Sequence, residues 1–569
     1  MLAAVVRAAQ DHSRGRTVVR VSLNRGAAPD RPGDRVGPAA RGALVGLAAG
    51  AVTVGVAEVL AGVAQRAAWT GGTPSPIDAV GGAFVDRTPP WLKDFAVTTF
   101  GTSDKIVLYA GIVVTLVVLA CGVGLVAVRT VRGALVALAL LVGVALAAVL
   151  SRPHAAVTDP VPLLLGGLAG MWALSRWSAG GVVGTGVVGT GVVGTGVVGT
   201  GVAGSASRTG TTPGTVSRRV LLGSGIAAVV AGAAAVAVGR LVAVSARAGA
   251  AARAAFVVPR VATPVVVPAG ADLGIAGVTP FVVPNADFYR IDTALVVPQV
   301  DPATWSLHVT GLVDREITLD WPTLLAKPMQ ESMVTLMCVS NEVGGTLNGN
   351  AVWTGWPVRE LLREAGVRDG ADMVLSTSVD GFTAGTPLEA LTDDRDALLV
   401  VAHNGQPLLP EHGFPVRLVV PGLYGYVSAT KWVTELKVTT FAADQGYWTP
   451  RGWSALGPVK TQSRIDVPRD GATVAAGTVA VAGVAWAQHR GIAGVQVQVD
   501  GGPWVDARLG ADATSDAWRQ WVYEWPATSG RHTIGIRAID ATGQPQTAEL
   551  APPAPNGATG HHTITVTVS

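Results

Sequence analysis

The chain has 569 residues, of which 49% are apolar and only 14% charged, with a net charge of +3. That balance does not suit a purely soluble protein, and so small a charge on so long a chain implies no nucleic-acid partner. Length alone leaves room for three or four domains.

Eight arginines, Arg7, Arg14, Arg16, Arg20, Arg25, Arg31, Arg35 and Arg41, precede the first of five apolar segments, so residues 1–40 form a basic tail. The five segments, at 43–64, 106–128, 133–150, 161–177 and 220–245, predict a five-helix transmembrane region. A span needs about 20 mostly apolar residues to cross about 30 Å of hydrocarbon. The fourth, VPLLLGGLAGMWALSRW, is short, and a re-entrant or interfacial segment is the alternative for it. Glu58 falls inside the first segment and is expected to turn toward the bundle interior near the helix end. Arg129 and Arg132 lie between the second and third segments, and Arg176, Arg208, Arg218 and Arg219 between the fourth and fifth. Basic loops stay in the cytoplasm. The N-terminus is therefore expected inside and everything after about residue 246 outside, with four helices over 41–178 and a fifth at 220–245.

Between them, 179–219 is a Gly-rich cytoplasmic linker containing four copies of GVVGT, from Gly181 to Thr200. A period of five is too short for a solenoid repeat, and its glycines disfavour both helix and sheet. Ser217 then opens SRRVLLGSG directly before the fifth segment. It is either flanking charge or a partial match to a twin-arginine export signal, the route taken by proteins already folded.

Outside the membrane, 246–284 is a Pro/Val-rich linker and 285–455 a mixed, globular α+β region. Within it WPVRELLREAGV predicts a short helix closed by Gly366. Residues 460–569 alternate with period two, as in VQVQVDGGPWV and HTIGIRAIDATG, with DGG and DATG at the turns. This end predicts an immunoglobulin-like β-sandwich.

Cys121 falls in the second span and Cys338 outside, so the two cannot pair. Cys338 ends an apolar run in TLMCVSNEVGG. By itself it is a small buried hydrophobe, half of an intermolecular disulfide, a nucleophile awaiting a base, or a soft metal ligand. TLMCVSNEVGG, WTGWPVRELL and NGQPLLPEHGFPVRLVVPGLYGYVSATKW occur in an order that resembles the sulfite oxidase family of molybdenum enzymes. The upstream NADFYRIDTALVVPQVDPATWSLHVTGLV is similar to that family's opening segment, and VKTQSRI to its connector into a C-terminal dimerisation domain. The resemblance covers about 280–569.

The resemblance implies molybdenum held by the dithiolene of a molybdopterin cofactor and by one protein thiolate, at Cys338. Asn341, Arg290, His412, Arg417 and Lys431 match positions near the cofactor, the last three on the pterin and its phosphate. Ser428 and Thr430 are weaker matches on the phosphate side. A phosphate wants a fixed guanidinium fork and a pterin edge suits an imidazole. Taken singly, Arg290 and Arg417 are equally ion-pair residues and His412 a turn residue; the set rests on the motifs occurring together. His403 and His308 are taken as structural, and Trp353 and Trp356 as core. The chain departs from the family at Glu342, where an arginine follows the asparagine, and at Val401, where the family carries a tyrosine. A carboxylate at Glu342 is expected to repel anions, which points away from sulfite toward a sulfoxide or N-oxide.

The sequence therefore predicts a multi-pass protein of the bacterial cytoplasmic membrane with a molybdenum-cofactor oxidoreductase domain outside it. Oxygen-atom transfer with a small-molecule substrate is the expected chemistry. With no CxxCH, and His154 the one histidine among the spans and their loops, haem within this chain is not expected. An external electron carrier or quinol-linked membrane subunit is implied, and the resemblance adds a homodimer through the C-terminal domain. The alternatives are a sulfite dehydrogenase using another arginine, such as Arg451, and a non-catalytic binding or sensor protein.

Overall fold

The structure, a computed structural model, describes residues 37–67, 69–70, 72–89, 92, 95, 99, 104–152, 155–179, 227, 230–238, 246–294 and 296–569. Most of the basic tail, the GVVGT repeats, SRRVLLGSG and most of the fifth apolar segment lie outside the described residues.

The N-terminal helices are α1 (Pro38–Arg66), α2 (Pro76–Arg87), α3 (Asp104–Arg129), α4 (Val131–Leu150) and α5 (Val161–Ala179). Proline opens α1, where its missing N–H has no helical partner to lose. Thr130 turns extended between α3 and α4, and its hydroxyl accepts from the Gly133 N–H at 2.8 Å to start the second helix. Against the expectation of five spans, α1, α3 and α4 are the described helices both long and apolar enough to cross a membrane. In α5, glycines, tryptophans and Arg176 dilute the apolar content. Small residues let the helices approach: a Cβ on Gly46 or Gly124 would overlap the facing backbone, and one on Gly170 would overlap Thr53. Glu58 is buried inside the bundle, as expected. Its carboxylate accepts from the Ser75 hydroxyl at 2.8 Å and the Ile77 N–H at 3.2 Å, which satisfies the start of α2.

The end of α2 is tied to the C-terminal half of the chain. Asp86 accepts from the Tyr447 hydroxyl at 2.9 Å and pairs with Arg152, while Arg451 donates to the Asp86 carbonyl at 3.4 Å.

Ten strands follow: β1 (Ser306–Gly311), β2 (Ile317–Asp320), β3 (Gln330–Met337), β4 (Asn348–Pro357), β5 (Met373–Ser378), β6 (Thr383–Pro387), β7 (Leu398–His403), β8 (Gln406–Pro407), β9 (Arg417–Val419) and β10 (Val433–Thr439). They build two sheets, β2-β1-β10-β5-β6 and β3-β4-β7-β8 with β9 added on β7. Between the sheets' strands lie short helices, including Val358–Ala365, which buries Val358, Leu361, Leu362 and Ala365 and ends at Gly366 with φ 72°, as the sequence predicts. The last six residues of β3 and all of β7 are buried, so both read as mostly apolar runs, broken by Ser332, Thr335 and His403, rather than as alternations.

The C-terminal strands are β11 (Gln462–Val467), β12 (Thr473–Val474), β13 (Gly477–Trp486), β14 (Ile492–Val499), β15 (Val505–Asp506), β16 (Arg508–Leu509), β17 (Arg519–Ala527), β18 (Gly530–Asp540) and β19 (Thr563–Val568). They form the expected sandwich, β11-β13-β17-β16 against β12-β19-β18-β14-β15, over a core that includes Trp521, Trp525, Ile534 and Val566. The DGG turn is real: Asp500 and Gly501 take φ of 53° and 68°.

The Pro/Val-rich segment 256–284 is not a loose linker. After a helix at Ala246–Ala255 it straps the two domains together, with Phe281 and Ala271 buried. Having no strand partners, it is held largely by side chains: the Leu273 N–H donates to Gln520 at 2.6 Å and the Phe281 N–H to Asp272 at 3.0 Å. The sandwich also grips the end of β3. Trp518 N–H donates to the Thr335 hydroxyl at 2.7 Å, and the buried Arg464 donates to Gly345 O at 2.9 Å and Asn348 Oδ1 at 2.7 Å.

Candidate active site

Cys338 is the first residue beyond β3, at the head of the loop that returns into β4. Its N–H donates to Leu347 O at 2.9 Å, pinning the two ends of the loop. Asn341 braces the inside: its N–H donates to Cys338 O at 3.2 Å and its Oδ1 accepts from the Leu347 N–H at 2.8 Å. Gly344 supplies the left-handed turn at φ 78°. The sulfur thus sits on a loop closed by its own backbone and held from behind by Arg464.

The loop opens onto a cavity with an empty volume of about 890 Å³, its mouth included, lined by Cys338, Tyr289, Asp292, His412, Arg417 and Lys431 among others. The chemistry-bearing residues come from three distant segments: the strap's continuation (Tyr289 to Asp292), the Cys338 loop, and 412–431. Pro410–His412 is one turn of 3-10 helix, ended by Gly413 at φ 107°, where a Cβ would press on Arg417 and Lys431.

Arg417 is 4% exposed. Its guanidinium donates to the carbonyls of His412 at 3.1 Å, Leu418 at 3.3 Å and Ala429 at 3.4 Å, and no carboxylate among the described residues pairs with it. Burial therefore pulls its pKa down to about 10. Lys431 does have a counter-ion: its Nζ donates to Asp292 at 2.8 Å and to Glu411 O at 2.9 Å. Burial lowers it to about 8, with Asp292 opposing. Asp292 also takes Arg290 at 3.0 Å, and Arg290 itself is about one-third exposed and does not line the cavity. Burial, then Arg417 and Lys431, push His412 to about 3, so its ring is neutral. Burial raises the Cys338 thiol, against hydrogen bonds from Ser340. Burial and then Cys338 hold the Tyr289 phenol well above its ordinary value, against Arg417.

Of the sequence-predicted residues, the fold brings Cys338, His412, Arg417 and Lys431 to one cavity. Arg290 stands behind Asp292 and Asn341 within the Cys338 loop. Ser428 is not at the cavity: its hydroxyl is used by the carbonyls of Leu423 at 3.2 Å and Tyr424 at 2.9 Å. Thr430 is likewise bonded to Ser376 at 2.7 Å. Two residues used to argue against an anionic substrate also lie off the cavity. Glu342 is exposed on the far side of the loop, and Val401 is wholly buried in β7. Neither sets the cavity's charge or shape directly. His403, taken as structural, is fully buried on the face of Trp353 at 4.4 Å, yet neither ring nitrogen has a hydrogen-bond partner. Asp292, Tyr289 and Asp380 were not singled out by the sequence. The signal for Asp292 was its place two residues after Arg290.

These residues fit an anionic, polar-edged group with a soft metal. A buried guanidinium without a carboxylate, a neutral imidazole, an imidazole with both nitrogens unmet and a thiol share one region.

The comparisons agree with that chemistry. Residues 294–448 match the family described as oxidoreductase molybdopterin binding domain, and residues 462–566 match the bacterial Ig domain. Mouse mitochondrial sulfite oxidase is 31% identical over 321 residues, covering 48% of this chain. The oxidoreductase YuiH of Bacillus subtilis (strain 168) is 36% identical over 157 residues, 28% of this chain and 76% of YuiH. The chain spans 58% of the length of the mouse and human sulfite oxidases. Among solved structures, the sulfane dehydrogenase SoxCD from Paracoccus pantotrophus superimposes with a TM-score of 0.45 at 22% identity, over 51% of this chain and 82% of that one.

Proposed function

We propose, for a chain that belongs to the sulfite oxidase family of molybdopterin oxidoreductases, a membrane-anchored enzyme that holds the molybdenum cofactor in the Cys338 cavity and acts outside the cytoplasmic membrane. The observation that carries this reading is that one cavity joins the Cys338 thiol to the buried, carboxylate-free Arg417 guanidinium. Bound there, the cofactor supplies two-electron chemistry with transfer of an oxygen atom to or from substrate.

The chain's own residues bind and orient. Cys338 would hold molybdenum through Sγ, as the thiolate, its proton lost to solvent. Arg417 offers its buried charge to the cofactor's phosphate, with Lys431 beside it. Asp292 keeps Lys431 and Arg290 pointed into place. Neutral His412 presents one donor and one acceptor to the pterin edge. Asn341 acts on the loop, fixing where the sulfur stands.

The wider arrangement follows the sequence. The N-terminus is cytoplasmic and the catalytic domain is exported folded, through a route signalled by Arg218 and Arg219. Electrons pass to or from a separate carrier, and the sandwich pairs the protein with a second copy. The substrate is small, of the sulfoxide or N-oxide type.

The test is elemental analysis of the full chain purified from a host that makes the cofactor, with near-stoichiometric molybdenum expected. Cys338→Ser should shift the g-values of the Mo(V) resonance spectrum. Wild-type protein without molybdenum overturns the reading. Protease added outside the cell should reach 246–569 in the wild type and not in Arg218→Lys/Arg219→Lys; equal access removes the export signal.

A further inference from the structure

The cavity is lined by two chemically different sets of residues. The basic ones, Arg417 and Lys431, lie toward His412, where the proposed function places the cofactor's phosphate and pterin. The other set is aromatic rings and one carboxylate. Trp448 and Trp453 stand at 6.2 Å and 75°, and Tyr426 meets Trp453 at 6.0 Å and 51°. Phe382 continues the wall. The Tyr426 hydroxyl is turned out of the wall, donating to Ser454 O at 2.7 Å, so the ring and not the phenol is what the cavity meets. Rings set at steep angles to one another form a corner, and each ring carries a negative face.

Asp380 lines this same cavity from the turn between β5 and β6. Its carboxylate accepts only weakly, from the Thr293 hydroxyl at 3.4 Å and the Phe382 N–H at 3.3 Å. No lysine, arginine or histidine among the described residues forms an ion pair with it. By contrast Asp292, the other carboxylate at the cavity, carries both Lys431 and Arg290. Asp380 is therefore the cavity carboxylate without a basic partner among the described residues.

The geometry points to a substrate with a cationic, onium-type end, such as a methylated ammonium group, received by the Tyr426–Trp448–Trp453 corner with Asp380 as counter-charge. Ring faces attract such cations, and most strongly where water is excluded. A carboxylate at the same mouth adds to that attraction and opposes an anion. This inference rests on the proposed function, because it assigns the basic residues to the cofactor. Sulfite is disfavoured here as it is by Glu342 in the sequence, but through residues that do line the cavity.

The experiment uses the full, molybdenum-loaded chain and three probes: choline, its uncharged carbon isostere 3,3-dimethyl-1-butanol, and sulfite. Binding is read by tryptophan fluorescence and by perturbation of the Mo(V) resonance, with molybdenum measured on the same preparation. Choline should bind at least tenfold more tightly than the isostere and should not be displaced by sulfite. Asp380→Asn should remove most of that preference while leaving molybdenum content unchanged, and Trp453→Leu should weaken choline in both readouts. Equal binding of choline and the isostere, tighter binding of sulfite, or an Asp380→Asn variant that keeps the preference overturns the inference. A preparation without molybdenum overturns the proposed function and the inference with it; a loaded one that does not favour choline overturns the inference alone.

Discussion

Arg417→Met tests most directly whether the cavity is built around an anion. Burial pulls the guanidinium pKa down from its ordinary value to about 10. At about 1.36 kcal/mol per unit, roughly 3 kcal/mol is spent keeping that charge inside the cofactor-free protein. The sign follows from which form the fold disfavours. Arginine is charged when protonated, so a lowered folded pKa is a penalty fully present below about pH 10 and relieved only as pH rises above it. Across the physiological range the penalty is constant. Methionine removes it but also removes the bonds to His412, Leu418 and Ala429. Only the first, at 3.1 Å, is short enough to count fully, and a charged hydrogen bond contributes about 1.5–3 kcal/mol. The two effects nearly cancel, and the cofactor-free variant should stay within about 2 kcal/mol of wild type. That is a shift of a few degrees, at about 2–4 °C per kcal/mol for a domain of this size.

The loaded protein should behave differently. Truncating one partner of a buried charge pair costs about 2–5 kcal/mol, or about thirtyfold to a few thousandfold in affinity. Thermal melts of the detergent-solubilised full chain, prepared with and without cofactor supply, read both quantities, alongside molybdenum retained after gel filtration. Wild type should gain a clear upward shift on loading and Arg417→Met should lose most of it. A variant that keeps its molybdenum and its shift shows that no anion depends on Arg417. A variant that collapses without cofactor shows the guanidinium to be a structural strut.

The remaining predictions concern the seam with the N-terminal helices and the buried imidazoles. Asp86→Ala should release the Tyr447 hydroxyl and Arg152 while leaving Arg451 its backbone carbonyl, at a cost of about 1–3 kcal/mol, seen as faster proteolysis within 440–455 on the intact chain; unchanged cleavage would deny the tie. His403 and His412 both have folded pKa values lowered to about 3, by burial first and then by positive neighbours. A base whose folded pKa is depressed makes the unfolded state the greater proton binder, so stability should fall as pH drops from about 6.5 toward 3. His403→Phe, which keeps the stacking on Trp353, should flatten that slope; an equally steep acid transition in the variant would refute it.

What the sequence made legible was whatever depends on one segment's own pattern. Gly366 ends its helix because the left-handed conformation it adopts is costly for other residues. The alternation after residue 460 shows two-faced strands, and the mostly apolar run before Cys338 is a strand covered on both sides. What stayed hidden depends on partners far along the chain. Nothing local in 256–284 shows that Gln520 and Asp466 will hold it in place, so a packed strap has the composition of a linker. The tie at Asp86 joins residues 361 positions apart in sequence. The aromatic corner draws on Tyr426, Trp448 and Trp453, of which only Tyr426 falls within a motif, and nothing local marks its ring as part of a corner.

Glu342 and Val401 show where matching by position in sequence stops short of chemistry. Each stands where the family resemblance places a substrate-side group, and each lies outside the cavity. Val401 is one of six consecutive buried residues in β7, so a phenol grafted there would have to displace packed core rather than reach a ligand. The phenol that does line the cavity beside Cys338 is Tyr289, from the segment that also carries Arg290 and Asp292. The charge assigned to Glu342 is likewise met in the cavity by Asp380, from the β5–β6 turn. The groups a substrate would meet are thus set by loops that converge from separate parts of the sheets, and a substitution at the matching position tests the match before it tests the site. Restoring arginine at 342 should accordingly leave binding in the cavity nearly unchanged, whereas neutralising Asp380 should not.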